Sequence, residues 1–168
     1  MSITIFFMKT AYTTENTRII PYQPAYAIYF DRFNKAWLEE YFVVEPIDKY
    51  VLENPEEAIL KHGGSILFAE HNNQIIGTVA LKLAKPGVFE LTKMAVDKSL
   101  RGHGAGKLLC EAAIKEAKKL NATELILYSQ RQLENAIAIY RKMGFVELPL
   151  EQGVYKRADI KMGLLNFK

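Results

Sequence analysis

The sequence has little cysteine, no long hydrophobic run and no concentrated charge of one sign, and each absence excludes a class of protein. Its single cysteine, Cys110, has no partner for an internal disulfide and fits a reducing compartment. No apolar window approaches the length of a membrane span, and the apolar run at residues 3–8 is too short for a signal peptide and follows no basic residue. We therefore expect a soluble, cytoplasmic protein with no membrane partner.

Charge is nearly balanced, with 22 lysines and arginines against 19 aspartates and glutamates. The basic residues are scattered and form only short pairs, such as Lys118-Lys119. A nucleic-acid-binding surface usually shows as a concentrated basic stripe, so we expect no nucleic-acid partner.

The composition is that of a globular protein, and the length is that of one domain. The chain has 168 residues, of which 49% are hydrophobic, enough to bury a sizeable core. We assign residues 1–16 to an N-terminal extension, either an extra strand or a loose arm, and residues 17–168 to one domain.

The hydrophobic periodicity predicts a mixed α/β chain. Asn72-Asn73 suits the positive-φ positions of a tight hairpin turn, and strand 124–128 should lie parallel to the strand before it because a helix intervenes. In order, we predict strand 17–20, a helix from Pro24, short helices at 46–52 and from Asn54, strands 65–71, 74–83 and 88–96, helix 104–120, strand 124–128, helix 133–142, and a hairpin of strands 145–150 and 154–162.

Aromatic residues recur at helical spacing after Pro24, at Tyr26, Phe30, Phe33, Trp37 and Tyr41. Packing against the sheet explains most of such a stripe. One or two of these rings are candidates for the wall of a substrate pocket.

Residues 91–109 read as a strand, a glycine turn and a helix start. Gly102, Gly104 and Gly106 allow the backbone to approach a ligand closely, and the N–H groups of a helix N-terminus favour an anion. The stretch therefore predicts a cradle for a pyrophosphate.

The turn is not a P-loop, because Arg101 stands where the first glycine should be and Leu108 stands where the residue with a hydroxyl should be. A dinucleotide fold is also excluded, since an antiparallel meander precedes the turn.

Three stretches carry a resemblance to a known family. They are the strand Glu90–Val96, the turn Arg101-x-x-Gly104-x-Gly106, and the segment Ala136–Phe145. Together with the order of the elements, they resemble the GNAT superfamily of N-acetyltransferases, whose turn signature is Arg/Gln-x-x-Gly-x-Gly/Ala. The resemblance implies an α/β fold with a mixed, mostly antiparallel central sheet that contains a splayed parallel pair and is flanked by helices.

The same resemblance implies an activity: transfer of the acetyl group of acetyl-CoA to a primary amine by direct attack in a ternary complex, without a metal. Two alternatives stay open. One is a CoA-binding sensor or interaction domain without transfer activity, and the other is the same reaction with a longer acyl-CoA.

In similar proteins the pantetheine arm pairs with the strand before the turn, and the turn holds the pyrophosphate. Carried over, this gives Met94, Ala95 and Val96 for the arm, Arg101, Gly102, His103, Gly104, Ala105, Gly106 and Lys107 for the turn, and Asn135 as a further cofactor contact. The chain departs from the family at Leu133, where many members carry a CoA-binding asparagine; Asn135 is close but out of frame.

Tyr140 and Glu90 are the candidate catalytic residues. By resemblance, Tyr140 protonates the departing thiolate; the alternative is a core tyrosine packed under Phe145. Glu90 is a candidate general base, and strand alternation predicts that it shares a face with Met94 and Val96. Alternatively, Glu90 pairs with a cationic substrate or with Lys93, or simply starts the strand.

The acceptor is a small-molecule or peptide or protein amine that the sequence does not identify. In similar proteins its specificity comes from the first helices and the closing hairpin, here residues 24–64 and 147–160. Tyr41, Tyr50 and Glu90 suggest a pocket for a cationic or aromatic amine. Dimers are common among similar proteins, so a homodimer stays open.

Overall fold

A computed structural model describes residues 14–165 and Phe167. Of the predicted extension 1–16, only the single 3-10 turn Thr14–Asn16 lies within the described residues. The main elements in chain order are β1 (Thr17–Pro21), α1 (Ala27–Tyr41), α2 (Pro46–Glu53), α3 (Pro55–Ala58), β2 (Ser65–His71), β3 (Gln74–Lys85), β4 (Val88–Val96), α4 (Ala105–Lys119), β5 (Glu124–Ser129), α5 (Glu134–Lys142), β6 (Val146–Leu148) and β7 (Ile160–Leu165).

These elements form a seven-stranded sheet in the order β1-β2-β3-β4-β5-β7-β6. Strand β4 is parallel to β5, and the other neighbours are antiparallel. The predicted mixed sheet with one parallel pair is confirmed. The parallel pair is also the place where the sheet opens, because β4 and β5 pair only through Val88–Glu90 and Glu124–Ile126 in the part of the chain that the structure describes.

Each face of the sheet has its own hydrophobic core. Helices α4 and α5 cover one face, where Leu109, Cys110 and Ile137 are buried. Helices α1 and α2 cover the other, where Phe30 and Leu52 are buried. Cys110 is fully buried, as expected for a structural thiol, and burial raises its pKa to about 12.

The predicted second strand of the closing hairpin is wrong for residues 154–159. Strand β7 begins at Ile160, and the segment before it is irregular. Apolar and aromatic side chains in this segment gave a strand-like pattern, but Tyr155 and Arg157 turn inward to polar partners rather than pair along a ladder. The other predicted elements lie within a few residues of the observed ones.

A β-bulge interrupts β4 at Lys93. Thr92 lies opposite Ala80 and Ala95 opposite Thr78, so two residues of β4 face one residue of β3, and Lys93 has a φ of +52°. A bulge reverses the alternation of side chains beyond it.

The expectation that Glu90 shares a face with Met94 and Val96 is therefore wrong. Met94 and Val96 pack with the core under α4, as Leu91 does, whereas Ala95 lies in the core under α1. Glu90, whose neighbours Phe89 and Leu91 both point to the α4 side, lies on the α1 side with Ala95.

Candidate active site

The opening between β4 and β5 is the first component of the site. Beyond Glu90, β4 remains paired with β3 on one side only, within residues 14–165. Its other edge faces the gap, and an exposed edge can pair with an extended, amide-containing ligand. Met94, Ala95 and Val96 lie on this stretch.

The glycine turn joins that open edge to the start of α4. Gly104 is the N-cap of α4, has a φ of +92° and offers no side chain to the helix. The first N–H groups of a helix have no intrahelical partner. Gly104, Ala105, Gly106 and Lys107 all line the cavity at this end, so these donors face a space that fits an anion.

A cavity of about 820 Å³ connects the turn to the gap and continues toward α1 and the segment before β7. It brings together most of the residues predicted from the sequence. The predicted residues that line it are Glu90, Met94, Ala95, Val96, Arg101, Gly102, Gly104, Ala105, Gly106, Lys107, Asn135 and Tyr140. His103 is exposed in the same turn and is not among the described lining residues.

Arg101 ties the turn to the end of α1. Its Nη1 donates to Glu40 Oε2 at 2.8 Å, and its Nε donates to the backbone oxygen of Val96 at 3.2 Å. The hydrogen bond from Arg101 lowers the pKa of Glu40. Trp37 and Tyr41 of α1 line the cavity beside this contact, so two rings of the aromatic stripe reach the site while Phe30 and Phe33 are core residues.

Tyr140 projects from α5 into the cavity wall. It is 7% exposed, and its ring packs against Phe145 with centroids 5.8 Å apart. Burial raises the pKa of its phenol well above the ordinary value, with a smaller contribution from Cys110. The residue is thus both packed in the core and in contact with the cavity, and it stays protonated at neutral pH.

Glu90 is buried on the opposite wall, where 6% of its surface is exposed. The hydroxyl of Tyr155 donates to its Oε1 at 2.8 Å. Burial raises the pKa of Glu90, and this outweighs the hydrogen bond and the nearby lysines, which favour the carboxylate. A carboxylate with a raised pKa is a better proton acceptor than an ordinary one.

An ion cluster lies behind Tyr155, with Asp48 of α2 at its centre. Asp48 is fully buried and accepts from Lys93 Nζ at 2.6 Å and from Arg157 Nη1 at 2.7 Å and Nη2 at 3.0 Å. Arg157 Nη1 also donates to Glu45 Oε2 at 2.6 Å. Burial alone would raise the pKa of Asp48, but the hydrogen bonds from Arg157 and Lys93 outweigh it and lower that pKa. The cluster therefore anchors the segment before β7 to α2.

Sequence reasoning did not find this cluster as a unit. Asp48 and Arg157 are 109 residues apart, and no local motif links them. The sequence offered one indirect indication of the cluster: Asp48 and Arg157 lie in the two stretches that were expected to set acceptor specificity.

No group of three or more histidines, cysteines, aspartates or glutamates suited to a metal ion occurs among the described residues. Across the same residues, every helix is too short or too polar to cross a membrane.

The chain as a whole is similar to known proteins. The model of the acetyltransferase (GNAT) family matches residues 23–145. The chain is similar to the uncharacterised N-acetyltransferase YvbK of Bacillus subtilis, with 29% identity over 104 residues, 60% of this chain and 67% of YvbK. It is also similar to an uncharacterised N-acetyltransferase of Methanocaldococcus jannaschii, with 27% identity over 74% of this chain and 53% of that protein. A Dictyostelium discoideum relative is matched over 28% of its length only.

Solved structures share the fold. An acetyltransferase of the GNAT family from Staphylococcus aureus Mu50 is 26% identical with a TM-score of 0.78, covering 90% of this chain and 99% of that one. The structure of yncA from Salmonella typhimurium, solved with its cofactor acetyl-CoA, has a TM-score of 0.72 at 18% identity and covers 89% of this chain and 94% of its own.

Proposed function

Since the chain belongs to the acetyltransferase (GNAT) family, we propose that it transfers the acetyl group of acetyl-CoA to a primary amine by direct attack in a ternary complex. The observation that carries this proposal is a single cavity that joins an open strand edge, a bare helix N-terminus, a buried carboxylate and a buried phenol.

The part of the cavity along β4 and the glycine turn, here called the cofactor half, is suited to acetyl-CoA. The open edge of β4 at Met94, Ala95 and Val96 would pair with the amides of the pantetheine arm. The turn from Arg101 to Lys107 would hold the pyrophosphate, and the helix dipole adds roughly 0.3–1 kcal/mol. When bound, acetyl-CoA supplies an acyl group activated as a thioester.

The chain's own groups perform the proton transfers. Glu90, made more basic by burial, accepts the proton that the amine loses as it attacks. A backbone N–H near Ala95 or Val96 stabilises the negative charge that develops on the carbonyl oxygen. Tyr140, which is protonated at neutral pH and whose pKa burial raises further, donates to the departing sulfur.

Turnover on an amine panel tests the proposal. The panel contains the twenty amino acids, spermidine, tyramine, kanamycin, and hexapeptides with free N-termini or lysine side chains, and release of free CoA thiol is measured with acetyl-CoA and with longer acyl-CoAs. We expect acetyl-CoA-dependent thiol release with at least one amine. Tight acetyl-CoA binding without turnover on any of them would instead favour a CoA-binding sensor.

Two glycine substitutions, two residues apart, test the cradle. Gly104→Ala forces an alanine into a left-handed conformation, which costs about 1–2 kcal/mol, and should weaken acetyl-CoA binding because the first turn of α4 shifts. At Gly106, an added Cβ would lie 3.6 Å from Ile139 Cδ1, an ordinary contact. Gly106→Ala should therefore stabilise α4 by about 0.5–1 kcal/mol. Acetyl-CoA binding should persist, because the family's turn signature accepts either glycine or alanine at this position.

Denaturant unfolding and calorimetric titration with acetyl-CoA measure both effects. The prediction fails if the two variants change stability in the same direction, or if Gly104→Ala binds acetyl-CoA as tightly as the unsubstituted protein.

Tyr140→Phe tests the proton donor. Because a thiolate leaves with little assistance, we expect turnover to fall by about 10²-fold, the lower end of the range for general acids, with acetyl-CoA affinity unchanged. Steady-state kinetics and titration calorimetry measure the two quantities. Tyr22→Phe is the control, since Tyr22 bonds Glu56 outside the cavity. Unchanged turnover in Tyr140→Phe would leave Tyr140 a packing residue.

A further inference from the structure

Tyr155 lies beside the candidate base Glu90 but has no role in the proposed acetyl transfer so far. It comes from the irregular segment before β7 and lines the same cavity as Glu90. Its hydroxyl donates to Glu90 Oε1 at 2.8 Å. Glu90 exposes 6% of its surface, and the hydroxyl of Tyr155 occupies one of its two carboxylate oxygens.

The ring of Tyr155 is fixed on several sides. Tyr128 lies against it with centroids 5.6 Å apart, and the charged groups of Lys93 and Arg157 lie over it at 5.8 Å and 5.3 Å. Both cations are held by Asp48. A side chain with this many restraints presents its hydroxyl in one place, as a proton-transfer group requires.

We infer that Tyr155 is a catalytic proton relay between the acceptor amine and Glu90, an inference that rests on the proposed acetyl transfer. As the nitrogen forms its bond to the thioester carbon, the N–H proton passes to Tyr155 Oη and the phenolic proton of Tyr155 passes to Glu90 Oε1. The carbon–sulfur bond breaks, and the sulfur takes the proton of Tyr140. Glu90 then releases one proton to solvent, and Tyr140 recovers one.

The protonation state of Tyr155 supports a concerted transfer. Burial and the neighbouring Glu90 raise the pKa of its phenol well above the ordinary value. Tyr155 therefore does not give up its proton to solvent, and it passes one on only when another arrives.

A purely positioning role for Tyr155 makes different predictions. In that case the hydroxyl would only stabilise the Glu90 carboxylate, so its removal would raise the pKa of Glu90 further. Turnover would then decline at low pH but return to its full value once Glu90 ionises at higher pH.

Tyr155→Phe, made in the full chain, distinguishes a proton relay from a positioning role. The kcat is measured with acetyl-CoA and the amine of the panel that is turned over fastest. For a relay, kcat should fall about 10²-fold or more at every pH from 5.5 to 9.5. The double variant with Glu90→Gln should be no slower than Glu90→Gln alone, because the two residues act as one path. A pH profile that is shifted but regains full kcat, or losses that multiply in the double variant, would overturn the relay.

Controls keep this result separate from folding and from the proposed function. Tyr22→Phe removes a tyrosine hydroxyl that bonds a glutamate outside the cavity, at 3.1 Å, and should keep kcat. If Tyr155→Phe lowers the melting temperature, 3,5-difluorotyrosine at position 155 is used instead, because its phenol is more acidic than that of tyrosine. For a relay, the basic limb of the kcat–pH profile should move to lower pH. A basic limb at an unchanged pH would overturn the relay. Absence of turnover in the unsubstituted protein would refute the acetyl transfer itself.

Discussion

Glu90→Gln is expected to lower turnover by about 10²–10⁴-fold, the range for loss of a general base. Glutamine keeps the shape of the side chain and an oxygen for the hydroxyl of Tyr155, but it cannot take a proton. Acetyl-CoA affinity should be retained, because Glu90 lies on the α1 side of β4 and away from the turn. Steady-state kinetics and titration calorimetry measure the two quantities.

The pH dependence gives this prediction a second readout. Since burial raises the pKa of Glu90, the acidic limb of kcat/KM should lie above the ordinary glutamate value of about 4.3, and Glu90→Gln should remove it. Ionisation of Glu90 favours catalysis but lowers stability. Because the pKa of Glu90 is raised in the folded state, the free energy of unfolding falls as pH rises and Glu90 ionises. Glu90→Gln should therefore be at least as stable as the unsubstituted protein at pH 8. A variant that keeps half its turnover, or one that unfolds more easily at pH 8, would contradict this role.

Asp48→Asn is expected to cause the largest loss of stability, about 3–5 kcal/mol of unfolding free energy. Asp48 is fully buried, and the side chain of Lys93 is 6% exposed, so removal of the carboxylate charge leaves Lys93 buried without a counter-charge at that position. For a domain of this size the melting temperature should fall by roughly 6–20 °C. Denaturant unfolding at neutral pH measures the change.

The matched control is Glu57→Gln, which breaks the exposed pair with Lys61 and should change stability by at most about 0.5 kcal/mol. The pKa of Asp48 is lowered in the folded state, so its contribution is present above the ordinary value of about 3.9 and is lost as pH falls through the folded value. The difference between Asp48→Asn and the unsubstituted protein should therefore shrink in acid. Equal stability of the two at neutral pH would refute the role of Asp48.

Local patterns made the cofactor half of the site readable in the sequence. Strand β4 and the glycine turn are contiguous in the chain, and Gly102 and Gly104 both have the positive φ that favours glycine. Asn72 and Asn73 were likewise predicted in a tight turn, and both have positive φ. These features depend on neighbours in the chain.

The part of the cavity lined by Glu90 and Tyr155 depends on contacts between distant segments, so the sequence did not reveal these contacts. Tyr155 reaches Glu90 across 65 residues. The bulge at Lys93 was also missed, because a single inserted residue leaves the apolar pattern of β4 intact while it reverses the side on which Met94 and Val96 lie. Roles predicted for Tyr140, Glu90 and the turn residues remain predictions.

The anchoring of the segment before β7 by Asp48 has a consequence for folding order. Formation of the Asp48–Arg157 contact closes a loop of 109 residues, so its entropy cost must be met by contacts made earlier, chiefly those of the sheet. We expect the cofactor half, built from contiguous chain, to acquire protection from hydrogen exchange first. The segment before β7, whose anchoring requires this long closure, should acquire its protection last.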